Sequence, residues 1–89
     1  MRLPRTLNVL SIQVRIAAGS PSAWRDGIVE SAVEETVRIR LLDDTVLELQ
    51  VSDAEGIPSV GEPVAYHPVA EILTGAVQTT ARLTWDSDQ

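Results

Sequence analysis

The chain contains no cysteine and no phenylalanine, and its seven basic residues are all arginine. Without cysteine, disulfides and thiolate metal sites are excluded. A secreted domain of this length often relies on such staples, so a reducing, cytoplasmic setting is expected. One histidine, His67, cannot supply a two-histidine metal set. Aromatic residues make up only 3% of the chain, namely Trp24, Tyr66 and Trp85, while apolar residues as a whole reach 44%. The core must therefore be built from Val, Ile, Leu and Ala. A narrow aliphatic interior leaves no room for an enclosed substrate cavity, so any ligand would bind on the surface or between chains.

Long hydrophobic runs are also missing, and none approaches the ~18 residues of a membrane span. The opening "MRLPRTLNVLSIQVRIAAGS" has two arginines and ends in small residues, as a secretory leader would. Asn8, Ser11, Gln13 and Arg15 interrupt its apolar part, however, and a leader needs an unbroken apolar segment. Neither a leader nor a membrane association is expected. Thirteen acidic residues against seven basic give a net charge of −6. That balance argues against nucleic acid as a partner, because a basic surface supplies most non-specific affinity for phosphates. Arg2 and Arg5 are the only local basic excess, and two residues do not make a patch.

What remains is alternation. Eighty-nine residues fit one domain spanning 1–89. From Asn8 to Ile16, Leu10, Ile12, Val14 and Ile16 alternate with polar neighbours, which predicts a strand. "AAGSPS" is a turn cluster, and "WRDGIVESA" predicts a second strand with Gly27 at a bulge or a close backbone approach. "ETVRIRLLDDTVLELQVS" predicts a hairpin. Its inward set is Val37, Ile39 and Leu41, then Leu47, Leu49 and Val51, with Asp43 and Asp44 in the turn. On its solvent face Arg38 and Arg40 face Glu48 and Gln50. "DAEGIPSVGEP" is loop, and "VAYHPVAEIL" is either a strand running past Pro68 or a strand ending in a helical turn. "AVQTTARLTW" places Val77, Thr79, Ala81, Leu83 and Trp85 on one face, and "DSDQ" at 86–89 is a frayed acidic tail. The sum is an all-β domain: a single small antiparallel barrel, or barrel-like sandwich, of five to seven strands and no good helix.

Candidate sites are few. His67 suggests a proton shuttle or ligand, but no Ser or acid stands at a diagnostic spacing from it. Neighbours in a strand face opposite ways. Val64, Tyr66 and Pro68 therefore predict the core face, leaving His67 at the surface, and Pro68 marks an edge strand or its end. Trp24, beside Arg25, either plugs one end of the barrel or anchors a partner, since Trp, Tyr and Arg are enriched at interface hot spots. Trp85 divides the same way. Glu34–Glu35 and Asp43–Asp44 lack the spaced ligands of a calcium loop, and Gly56 and Gly61 lack phosphate-loop spacing. No catalytic residue, metal or cofactor is expected.

Within residues 27 to 72, Gly27 and Val29, the "VRIRLLDDTVLELQV" hairpin, and Gly61-Glu62-Pro63-Val64 leading to Pro68 form a recognisable rhythm. It resembles TOBE domains, the small barrels on some transporter ATPases and oxyanion-responsive proteins, and equally SH3-like and OB-like modules. The resemblance implies a small regulatory barrel. It brings no ligand motif to this chain, which also carries an extra N-terminal strand. Two functions follow as expectations. The first is a non-enzymatic cytoplasmic module that binds another protein or itself, through Trp24, Arg25, Tyr66 and His67 and by strand addition along Val64–Ile72. The alternative is a sensor barrel for a small anion or metabolite, held on turn amides and arginines.

Overall fold

The computed structural model describes residues 5–7 and 10–87. The elements are β1 (Arg5–Leu7), α1 (Ser11–Gly19), β2 (Arg25–Val33), β3 (Thr36–Leu41), β4 (Val46–Val51), β5 (Pro63–His67), β6 (Ile72–Thr74) and β7 (Val77–Asp86). Single 3-10 turns occur at Pro21–Ala23 and Ala54–Gly56. The strands follow the order β7-β4-β3-β2-β5-β6, and β6 pairs back onto β7. The result is a closed, six-stranded antiparallel barrel. β1 joins it in parallel, with Arg5 opposite Val77 and Leu7 opposite Thr79. No helix among the described residues is long and apolar enough to cross a membrane.

The β3–β4 hairpin forms as its alternation dictates. Val37, Ile39, Leu41, Leu47, Leu49 and Val51 are all buried, and with Val29, Val64, Tyr66, Leu73 and Ala81 they make the core. Arg38 lies opposite Glu48 and pairs with it at 3.0 Å. Arg40 faces Val46 instead of an acid and turns sideways to Glu30 of β2. Asp44 takes a positive φ of 70° in the turn, and Asp43 Oδ1 accepts the Thr45 N–H at 3.0 Å. Gly27 is a point of close approach: a Cβ there would lie 2.7 Å from the Arg40 carbonyl oxygen. The bulge of β2 falls later, between Val29 and Ser31.

Several expectations are overturned. The segment read as a first strand is α1, and Asn8 lies outside the described residues. The barrel closes through β6 and β7, whereas a helix satisfies its backbone groups within itself. At about 100° per residue, period-two apolar residues spread around a helix instead of lining one side. Leu10, Ile12, Val14 and Ile16 are all exposed, while Ala17 is buried and Gln13 half-buried. Gln13 fastens the helix: its Nε2 donates to Ala70 O at 2.9 Å, and its Oε1 accepts the Leu10 N–H at 2.8 Å.

Alternation puts Trp85, as an end plug or a partner anchor, on one face with Val77, Thr79, Ala81 and Leu83; in the fold it is 48% exposed while Thr79 and Ala81 are buried. A bulge in β7 opposite Glu48 and Leu49 inserts Thr84 between Leu83 and Trp85, whose partners are Leu49 and Glu48. Thr84 Oγ1 donates to Glu48 O at 2.9 Å and holds the bulge. The phase shift turns the indole outward, under the Arg38 guanidinium 5.9 Å from the ring centre. Leu83, on the same expected face, is 36% exposed. Asp86, the first residue of the expected tail, belongs to β7 and pairs with Leu47. Ser87 N–H donates to Val46 O, and its Oγ accepts the Val46 N–H. Residues 88–89 lie outside the described residues.

β5 is not an edge. It pairs with β2 on one side and β6 on the other, so strand addition along Val64–Ile72 finds no open ladder. Pro68 is exposed, where the core face was expected, and begins a turn to Glu71. That turn, with Glu71 at a positive φ of 58° and its N–H donating to His67 O, delivers the chain into the short strand β6.

Candidate functional site

The four residues singled out from sequence meet at one corner of the barrel. Arg25 lies opposite Tyr66 in the β2–β5 ladder, and the Trp24 ring meets the His67 ring edge-on, with centroids 5.1 Å apart and planes at 87°. They do not form one surface. Tyr66 points into the core, where its hydroxyl donates to Ala81 O at 2.9 Å. Burial, reinforced by the negative charge of Glu71, pushes its pKa from 10.0 up to about 12.

His67, expected at the surface, is fully buried. Its side of β5 is covered by the chain that sequence had read as a strand and a turn. Ala17 of α1, Ala70, Ile72 and Trp24 pack together there as a second apolar cluster. Both ring nitrogens are occupied. Nδ1 accepts the Ala70 N–H at 3.0 Å, and Nε2 lies 2.9 Å from Ser20 O. A neutral ring with its proton on Nε2 satisfies both bonds. The arrangement has the character of a clasp between barrel and helix, leaving the ring no free atom for chemistry. Trp24 is half-buried, and Arg25 reaches the surface to pair with Asp43 at 3.3 Å. The Asp43 carboxyl is held below its ordinary range chiefly by its bond from the Thr45 N–H.

Sequence reasoning missed the more open feature, a groove of about 650 Å³ on the outer wall. The register fixes its floor: Ile28 lies opposite Pro63, Asp26 opposite Ala65, and Ala65 opposite Thr74. Leu42, 81% exposed at the hairpin end, stands as one wall. A second hollow of about 520 Å³, bounded by Trp24, Arg25, Asp43 and Pro68, lies on the other side of Leu42. A signal for this surface was present in the sequence. Solvent-facing positions of an antiparallel strand are ordinarily polar, yet here Ile28, Pro63 and Ala65 take them.

Compared with known families, curated proteins and solved structures, this chain matches none. The resemblance to TOBE, SH3-like and OB-like barrels therefore has no matched family behind it and assigns no residue a role.

Proposed function

We propose that this barrel is a non-enzymatic cytoplasmic interaction module, which works by docking against another protein or a second copy of itself. The observation that carries the reading is the placement of its large aliphatic side chains. Leu10 at the N-cap of α1, Ile12, Val14 and Ile16 on the helix, and Leu42, Val60 and Val69 on the barrel, all stand in solvent. Where such side chains stand together, as Leu42 does with Ile28, Pro63 and Ala65, exposed apolar surface ordinarily marks an interaction site.

Two further features favour docking over small-molecule chemistry. The polar atoms of His67 and Tyr66 are taken up by backbone partners. Arg25, Arg38 and Arg40, which an anion sensor would use, are paired with Asp43, Glu48 and Glu30. An anion would have to displace those carboxylates.

Sedimentation of the purified chain, together with affinity capture from a lysate of its source cells, tests the reading. The expected result is a mass above the monomer, or a partner recovered in stoichiometric amount. Either should be lost with paired substitutions among Ile12→Glu, Val14→Glu and Leu42→Glu. A protein that stays monomeric and returns alone overturns the proposal.

A further inference from the structure

We propose that the groove over β2, β5 and the β6–β7 bend holds an extended segment of a partner protein, apolar in character and carrying an arginine or lysine beside Asp26. This rests on the interaction reading above and gives it a place and a partner chemistry.

The groove's shape comes from small side chains fixed in place. Pro63, Ala65, Gly75 and Ala76 give it a low apolar floor, with Ile28 and Leu42 rising beside them. Glu62 makes the far end rigid. Its Oε1 accepts the Ser59 N–H at 3.0 Å, and its Oε2 accepts the Ala76 N–H at 2.8 Å. That carboxylate occupies the space a Cβ on residue 75 would need, so glycine is required there for the two loops to be tied. A hollow built this way exists before its occupant arrives, which lowers the ordering cost of binding.

Charge then selects the occupant. Among the described residues, Asp26 and Glu62 are the only charged ones lining the groove, and both are acidic. The Glu62 oxygens already accept two backbone N–H groups. Asp26 is exposed, and among the described residues its carboxylate has no hydrogen bond and no ion pair. The missing complement is a cation. A second copy does not supply it by like meeting like, because that would set Asp26 and Glu62 against themselves, and facing like charges oppose association.

The mode of binding follows from the ladder. At the groove, β2 pairs with β5 from Arg25 to Ile28 and with β3 from Gly27 on, while β5 pairs with β6 from Ala65 on. Only the two-residue stretches Arg25–Asp26 and Pro63–Val64 are left one-sided, too short for a ladder, so the segment is held mainly by side chains. Residues two apart in an extended chain point the same way. That spacing lets one side chain rest on Pro63 and Ala65 while the next of the same parity sets its cation at Asp26.

The test is selection of displayed random heptapeptides on the full-length chain, followed by titration of the winning sequences as synthetic peptides. Enriched peptides are expected to carry Arg or Lys two positions from an aliphatic residue. Their affinity should fall about tenfold or more with Asp26→Lys and with Ala65→Arg, fall with added salt, and stay unchanged with Trp85→Ser on the opposite wall. Circular dichroism confirms that each variant is folded. Peptides without a basic residue, or binding indifferent to Asp26→Lys and Ala65→Arg, overturn the proposal. If binding is lost instead with Ile12→Glu, the groove is wrong while the interaction reading stands. If no peptide is enriched and the chain is also monomeric and alone in sedimentation and capture, both fall.

Discussion

His67 Nε2 lies 2.9 Å from the carbonyl oxygen of Ser20, a bond that crosses 47 positions of sequence and ties β5 to the residue capping α1. With Nδ1 accepting the Ala70 N–H, the imidazole fastens two pieces of backbone at once. His67→Ala removes both bonds and the edge contact to Trp24. Loss of buried hydrogen bonds and of packed volume should cost about 2–4 kcal/mol in urea unfolding. A change below about 0.5 kcal/mol would mean that the clasp contributes nothing. Nitrogen NMR of the ring should find the proton on Nε2; a proton on Nδ1 would contradict the bond from Ala70.

Tyr66 gives the protein an alkaline limit. Its pKa is 10.0 when unperturbed and about 12 in the fold. Between those values the unfolded chain has released the phenolic proton while the folded one retains it. The folded state therefore binds more protons, and stability falls as pH rises across that window. Two pKa steps correspond to a contribution on the order of 3 kcal/mol. Below pH 10 this contribution is fully present. Absorbance titration should place the folded phenol well above its free value. Tyr66→Phe should cost about 1 kcal/mol at neutral pH and abolish the alkaline loss; a variant as alkali-sensitive as the parent would sink the assignment.

Gln13 is the polar anchor of a helix whose remaining side chains are mostly turned to solvent. Besides Ala70 O and the Leu10 N–H, it accepts from Thr80 Oγ1 at 3.3 Å. Gln13→Ala is expected to weaken α1 selectively by about 1–3 kcal/mol. Amide exchange should accelerate in residues 11–19 while β3 and β4 keep their protection. Uniform acceleration throughout the barrel would show that the helix and barrel unfold as one unit.

Gly27→Ala places a methyl 2.7 Å from the backbone oxygen of Arg40, where no side-chain rotation relieves it. Overpacking of this kind should cost about 1–3 kcal/mol in denaturant unfolding. Gly19→Ala meets nothing within 4 Å and serves as the control, expected to be neutral or slightly stabilising. Equal behaviour of the two variants would mean that β2 and β3 can move apart.

Much of the barrel was legible because strand alternation is a local signal. The six inward residues of the β3–β4 hairpin were read correctly, since each faces core or solvent by its parity alone. The single face read from Val77 to Trp85 breaks at Thr84, because parity holds only until a bulge and nothing in the neighbouring residues announces one. Leu10 to Ile16 were misread for a different reason. Their alternation is real, but whether it becomes a strand depends on whether a ladder is available to pair with it. His67 was placed on the surface by the same parity argument that placed Tyr66 correctly inside. Its burial comes from α1 and Trp24 lying over that face, which a rule about one strand cannot see.

Local patterns were enough for a small all-β domain, a barrel or barrel-like sandwich with an aliphatic core, because alternation, turn residues and the near absence of aromatics all act over a few neighbouring positions. Long-range packing settles the rest: the barrel closes through β6 and β7, the first apolar stretch is a helix, His67 is an internal clasp, and Asp26, Ile28, Leu42 and Ala65 share one outer groove. Those outcomes depend on register and closure, which bring together segments far apart in the chain. The free energy of such contacts belongs to pairs of segments, and neither member shows it alone.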